Sequence, residues 1–225
     1  MAETFQRARS EEQREIRRAG ILDTASTMLR EAPVATLTLN ELARRVGLAK
    51  SNVLRYFESR EAVLLDLLTS ELDAWLTAVR GALGPPTDAE PAGTRQTRLV
   101  SVLVDTLQAR PVLCDLLSAQ AAVLERNVSP AVAARYKRDM IADLEELAGL
   151  VREQIPALSP AAARTFAGTA LMMTGAVWPH AHPSEAMKTA YAREPALAAP
   201  ALDFTGTLSG MLYTFLTGLL ATSRS

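Results

Sequence analysis

Apolar positions recur along almost the whole chain at three- and four-residue spacing, and no stretch alternates with the period of two that a strand requires. Between Glu12 and Glu31, Ile16, Ala19, Leu22, Ala25 and Leu29 follow one side of a helix, and Pro33 stands just beyond its end. Thr38 offers an N-cap, and Glu41 three residues on completes the capping box T-L-N-E. Leu39, Leu42, Ala43 and Val46 give this short second helix a buried face, and Gly47 supplies its stop. A third helix is predicted over Lys50–Phe57, after only Leu48 and Ala49. Ser59 caps a fourth running from Arg60 to about Leu83.

Gly84 to Thr94, GPPTDAEPAGT, reads as a loop. Helices follow over Arg95–Ala109 and Pro111–Glu125. Ser129–Pro130 and Ser159–Pro160 each place a cap before a proline at the first helical position, opening helices to about Gln154 and Val177. WPHAHP, 178–183, breaks the pattern, Ser184 caps a short helix, PALAAPAL (195–202) is a connector, and Asp203 starts the last helix. The expected class is all-α, with nine or ten helices and no sheet.

Composition changes this picture little. An apolar fraction of 48% with 22% charged residues fits a globular chain, and 225 residues can bury a substantial core. Cys114 is the lone cysteine, so no internal disulfide forms; it is read as a core residue, and a cytoplasmic setting is expected. The charged N-terminus lacks the apolar run of a secretion signal. Phe204 to Ala221 carries no charge over 18 residues, the lower limit for crossing a bilayer, but its five Ser and Thr residues favour a buried interface helix.

A net charge of −1 hides one local excess. Between Arg44 and Arg60 five cations face a single acid, Glu58, a local charge of +4. That excess falls where two short helices meet at a tight turn, the layout of a helix-turn-helix. Ala43 is small where the helices cross, and Leu39, Leu42, Val46, Leu48, Val53 and Phe57 can close a miniature core. Lys50, Ser51, Asn52, Arg55 and Tyr56 are left facing outward. Such side chains hydrogen-bond to base edges and phosphates.

The run TLNELARRVGLAKSNVLRYFESREAVL, with its aromatic pair leading through Arg60–Glu61 into the fourth helix, resembles the DNA-binding domain of the TetR family of transcriptional regulators. The resemblance implies a DNA-binding domain over 1–59 and a ligand-binding and dimerisation domain over 60–225. It implies that Thr38 contacts phosphate, supplemented by Asn40 or Arg44. Lys50, Ser51 and Asn52 then face the bases, and Tyr56 and Arg60 meet phosphate, with Arg55 beside them. It departs from the family at Ala49, where a capping Ser or Thr is usual, and at Leu54, where an aromatic is frequent. Arg7 and Arg9 are candidates for an N-terminal arm. One such unit reads few base pairs, so a homodimer on a palindromic operator is expected, with half-sites about 34–36 Å apart or a multiple of it.

Residues 161–225 carry four basic and three acidic side chains, a density that implies extensive burial. Small residues at Ala163, Ala167, Ala170 and Thr174, and Gly206 and Gly210 with Leu212, Phe215 and Leu219, are read as a dimer interface built as a four-helix bundle. Tyr136, Phe166, Met172, Met173 and Trp178 are candidate lining for a pocket, which would favour a hydrophobic effector. His180 and His182 raise the alternative of a metal-dependent enzyme, but no third ligand joins them locally. No activated nucleophile or phosphate loop is recognisable, so a regulator without cofactor or bound metal is expected to bind an operator and a small-molecule effector. The resemblance favours a repressor, with a membrane-anchored helical protein as the other alternative.

Overall fold

The computed structural model describes residues 2–86, 90–121, 124–198 and 202–222, with the side chains of residues 2–10 and of Ala198 outside that description. Ten α-helices and three short 3-10 turns form the regular structure of the described residues, and none of these is in a strand. The helices are α1 (Ala2–Glu31), α2 (Leu39–Val46), α3 (Lys50–Val53), α4 (Arg60–Leu83), α5 (Ala92–Gln108), α6 (Pro111–Ala119), α7 (Pro130–Gln154), α8 (Pro160–Ala181), α9 (Glu185–Arg193) and α10 (Phe204–Thr222).

Capping side chains begin most of these helices, by accepting backbone N–H groups that would otherwise lack a partner. Thr38 accepts from Glu41 at 3.2 Å, Ser59 from Ala62 at 3.0 Å, Ser129 from Val132 at 3.3 Å and Ser159 from Ala162 at 3.1 Å. Ser184 and Asp203 do the same for α9 and α10. Gly47 ends α2 in the left-handed conformation, φ 72°, and the Leu48 N–H closes onto the Ala43 carbonyl at 2.9 Å.

Several boundaries depart from the hydrophobic pattern, among them the end of α3, at Val53 rather than Phe57, and the start of α5, at Ala92 rather than Arg95. Helix α1 starts at Ala2, well before the first apolar repeat, and its buried apolar side chains among the described ones are Ile21, Ala25, Met28 and Leu29. Ile16, expected on that face, is 66% exposed, because the packed part of α1 begins only a turn later. A 3-10 turn, Val34–Thr36, follows Pro33 and buries Val34. Helix α6 stops at Ala119, with a second 3-10 turn at Leu124–Arg126. Helix α8 carries on through Pro179 to Ala181, where the His182 N–H still reaches the Trp178 carbonyl at 3.0 Å.

The chain divides into two compact units. The first comprises residues 1–70 and 119–136, the second residues 71–118 and 137–225, so α4 and α7 each contribute residues to both. In the first, α1 packs on α2 and α2 on α3. Its core includes Ile21, Leu42, Val53, Phe57 and Leu64. In the second, α10 packs on α5 and α8. A strict four-residue stripe on α10, Phe204, Leu208, Leu212, Leu216 and Leu220, is buried there with Leu99, Leu103 and Leu107 of α5 and Phe166 of α8. Gly175 of α8 is a point of close approach: a Cβ there would lie 2.8 Å from the Leu117 carbonyl oxygen of α6. Several polar groups in this core find partners. The Trp75 indole donates to Thr106 Oγ1 at 2.9 Å, and buried Gln154 accepts from Arg98 at 2.7 Å while donating to the Gly84 carbonyl at 3.2 Å.

Candidate nucleic-acid interface

The recognition segment is short. Ala49 offers no side-chain cap, and regular helix runs only from Lys50 to Val53. Leu54 to Tyr56 continue as hydrogen-bonded turns, with the Arg55 N–H on the Asn52 carbonyl at 3.2 Å and the Tyr56 N–H on Val53 at 2.9 Å. Val53 and Phe57 are buried and pin the segment to the core, leaving Lys50, Ser51, Asn52, Leu54 and Arg55 exposed and Tyr56 half-buried. An edge of cation, hydroxyl and amide is thereby presented on one short element, and these are the groups that read base edges and phosphates.

The charge of this region is less free than its composition implies. The Glu41 carboxylate accepts from Arg44 at 2.6 Å and from Arg45 at 3.0 Å, and Arg45 also reaches Glu31 at 2.6 Å. Those hydrogen bonds hold the Glu41 pKa down at about 2, so it stays ionised throughout the physiological range. The same carboxylate is drawn forward along α2, so only the Thr38 half of the expected capping box forms. Thr38 and Asn40 are both exposed at the head of α2.

Arg60 departs from the phosphate contact expected of it. Its guanidinium donates to the Leu37 carbonyl at 2.6 Å, to the Val34 carbonyl and to Glu61 at 3.1 Å. It therefore fastens the start of α4 to the 3-10 turn ahead of α2. Leu37 is extended between the 3-10 turn and α2, so its carbonyl stands outside a helical ladder, and the arginine fork supplies it with a donor.

A second arginine, unmarked by any local motif, supports the recognition turn. Arg18 donates to the Tyr56 carbonyl at 2.9 Å, lies 4.3 Å from the centre of the Phe57 ring and pairs with Asp66 of α4. Burial, with Arg135 nearby, lowers its pKa from the ordinary arginine value. Asp66 also takes Arg135 of α7 at 2.5 Å. Glu58 accepts the Ser129 N–H just before α7 at 2.6 Å, and that bond lowers its pKa. These partners lie tens of residues apart in the chain, beyond the reach of any spacing rule.

The sites expected further along the chain are rearranged. Ala163, Ala167, Ala170, Thr174 and Leu212, read as interface residues, are at most 1% exposed and lie in the core of a single chain. Their small side chains serve close packing inside the second unit, and Phe215, half-buried, stacks on Phe166 with ring centres 6.4 Å apart. Of the residues read as interface, Gly206 and Gly210 do lie on the outward surface of α10, with Met211, Tyr213, Thr214, Thr217 and Gly218, and Leu219 is half-buried beside them. Among the proposed pocket residues, Met172 is 69% exposed and Met173 half-exposed, whereas Tyr136, Phe166 and Trp178 are buried. Trp178 is taken up by ring contacts to His182 and Phe204. His182 stacks 3.7 Å from Trp178, with Nδ1 3.0 Å from the Trp178 carbonyl oxygen, and His180 is exposed. Among the described residues no three His, Cys, Asp or Glu side chains are placed to hold a metal ion. The Arg7 and Arg9 side chains lie outside the described residues. Cys114 is buried, with its thiol pKa pushed up to about 12, chiefly by desolvation.

Comparison with known proteins draws on both units. The family model described as bacterial regulatory proteins, tetR family, matches residues 21–67, and that described as the tetracyclin repressor-like C-terminal domain matches residues 69–223. The HTH-type transcriptional regulator EthR of Mycobacterium tuberculosis is 32% identical over 74 residues, which are 33% of this chain and 34% of that relative. The match thus spans about a third of the length of that curated relative. Among solved structures, a TetR transcriptional regulator from Rhodococcus sp. RHA1 superposes with a TM-score of 0.57 at 14% identity, covering 92% of this chain and 96% of that one. The regulator FadR of Bacillus subtilis, solved in complex with stearoyl-CoA, gives a TM-score of 0.51 at 15% identity, covering 88% and 96%.

Proposed function

The chain belongs to the TetR family of bacterial transcriptional regulators, with a DNA-binding and a ligand-binding domain, and on that premise we propose that it is a cytoplasmic repressor. In this reading it binds a palindromic operator as a homodimer and leaves it when a small hydrophobic effector binds. The observation that carries the DNA-binding half is the exposed Lys50–Ser51–Asn52 edge, held by buried Val53 and Phe57. Thr38, with its cap bond made through oxygen, keeps its O–H for a phosphate, and Arg55 and Tyr56 extend the contact.

The dimer is assigned to the outward surface of α10. That helix has no charged residue from Phe204 to Thr222 and is long and apolar enough to cross a bilayer. One stripe is buried on α5 and α8, while Met211 and Tyr213 stay 40% and 41% exposed between glycines that permit close approach. A second copy of the same surface covers that face in an isologous contact. A hydrophobic effector agrees with the apolar second unit and with the acyl-CoA held by the Bacillus subtilis neighbour. For the effector to release DNA it must bind the low-affinity conformation more tightly than the DNA-bound one.

Selection of genomic DNA fragments by the purified full-length protein tests this reading. A palindromic consensus is expected. Lys50→Ala should lower the slope of log affinity against log salt by about one per subunit, and Asn52→Ala should change the preferred base within a half-site. Recovery of fragments sharing no sequence would overturn specific operator binding.

A further inference from the structure

The recognition edge is not the only basic surface of the first unit. An open groove of about 970 Å³ runs beside it, with Gln13, Arg14 and Arg17 of α1 on one wall and Arg45, Arg55 and Tyr56 on the other. We propose that this groove is a second DNA-contact surface, in which α1 holds the phosphate backbone flanking the major-groove site. The proposal rests on the DNA-binding reading above and adds to it residues on α1 that no motif marks.

Charge sorting on α1 is the first argument. From Glu11 to Glu31 the helix carries four arginines and five acids, so its composition predicts nothing. Gln13, Arg17, Gly20 and Thr24 nevertheless form one helical stripe that lines the groove, with Arg14 beside it, while Glu11, Glu12, Glu15 and Asp23 do not line it. Among the described residues no carboxylate lines the groove. Arg45 is already held by Glu31 and Glu41. Arg14, Arg17 and Arg55 are exposed and make no ion pair or hydrogen bond among the described residues, which leaves three cations converging on one concave surface.

The second argument is continuity. Arg55 and Tyr56 belong both to the groove and to the turn that follows Lys50–Asn52, so a strand reaching the recognition edge can pass into the groove. Arg18 fixes the Tyr56 carbonyl from α1, tying the two walls together. Gly20 supplies a third, weaker indication. A glycine inside a helix costs about 1 kcal/mol relative to alanine, yet a Cβ there would meet nothing within 4 Å, so packing does not demand it.

Two duplexes test the proposal, both carrying the palindrome recovered from the genomic selection. One ends at the outer edge of the half-sites, and the other extends about one helical turn, roughly 10 base pairs, beyond each. The full-length protein is titrated with salt on both, alongside an Arg14→Gln/Arg17→Gln variant whose helical circular dichroism and melting are checked first. The wild-type chain is expected to bind the extended duplex more tightly and with a steeper slope. The variant should lose that gain, its slope on the extended duplex falling by about two per subunit, with binding to the trimmed duplex and base preference unchanged. Equal losses on both duplexes, or no loss on either, overturn the groove assignment while leaving operator binding intact. Failure of the wild-type chain to bind either duplex would remove the DNA-binding reading itself, and this proposal with it.

Discussion

The recognition edge and the α8–α10 region are both helical surfaces singled out by residue type, yet they differ in how far residue type decides orientation. Lys50, Asn52 and Arg55 are exposed because ionic and amide groups without partners are costly to bury. Ala163, Ala167 and Ala170 carry no such constraint. A small apolar residue serves equally where helices meet inside one chain and where two chains meet, and here the three are buried in the protomer. Polar pattern thus specifies a side, whereas small-residue pattern specifies only closeness.

The most drastic way to break this contrast is to exchange the two faces of the second unit. Tyr213→Asp, on the outward surface of α10, is expected to leave the chain monomeric at micromolar concentration in analytical ultracentrifugation where the unaltered chain forms the proposed dimer, with protomer helicity retained. Ala170→Leu, inside the core, should leave the chain dimeric but cost about 1–3 kcal/mol in denaturant unfolding through overpacking. If Ala170→Leu dissociates the dimer and Tyr213→Asp does not, the α8 stripe is the interface after all.

A buried acid in the second unit supplies the next test. Asp143 of α7 is 7% exposed and its pKa is raised to about 7, first by burial and then by Asp73 of α4, with Asp139 and Glu146 adding to it. Glu146 itself pairs with Arg80 of α4 at 2.8 Å. The folded chain holds the Asp143 proton up to about pH 7, whereas an unfolded chain releases it near the ordinary aspartate value of about 4. Stability from this group is therefore complete below about pH 4 and is lost as pH rises to 7, a loss on the order of a few kcal/mol. Asp143→Asn should flatten that fall in urea unfolding measured from pH 4 to 8. An unchanged profile would show that Asp143 is ionised in the folded state.

Arg60 sharpens the contrast from the other side, as a cation within the DNA-binding unit that faces inward. Removing it takes the arginine donor from the Leu37 carbonyl and one of the donors from the Val34 carbonyl, so Arg60→Ala is expected to cost about 1–3 kcal/mol of stability. The salt slope for operator binding should stay unchanged. A lowered slope with full stability would restore Arg60 to the phosphate contacts.

These cases show what the chain discloses along its length. Helix starts were legible because Thr38, Ser129, Ser159 and Ser184 act within three residues of themselves, and α2 and its stop because Gly47 needs a left-handed backbone. The outward residues of the recognition turn were legible for the same local reason. Arg60 was not, since its partners lie 23 and 26 residues back, and neither was Arg18, whose contacts to Tyr56 and Asp66 span 38 residues and more. Met172 was misplaced because an apolar residue on an amphipathic helix carries no sign of which neighbour will cover it. Long-range partnership and the choice between core and interface are tertiary facts.

The smallest test lies within the helix-turn-helix, between a capped and an uncapped helix. The Thr38 side chain accepts the Glu41 N–H and α2 runs eight residues; Ala49 has no side-chain acceptor and α3 runs four. Ala49 already has extended backbone angles, φ −67° and ψ 146°, so a serine there can cap without rearrangement. Ala49→Ser is expected to stabilise the chain by about 1 kcal/mol and to slow amide exchange at Asn52 and Val53. Tighter operator binding should accompany it, because a pre-ordered edge loses less freedom on docking. If stability rises while affinity falls, the missing cap serves recognition, leaving the head of α3 loose enough to adjust to the bases it meets.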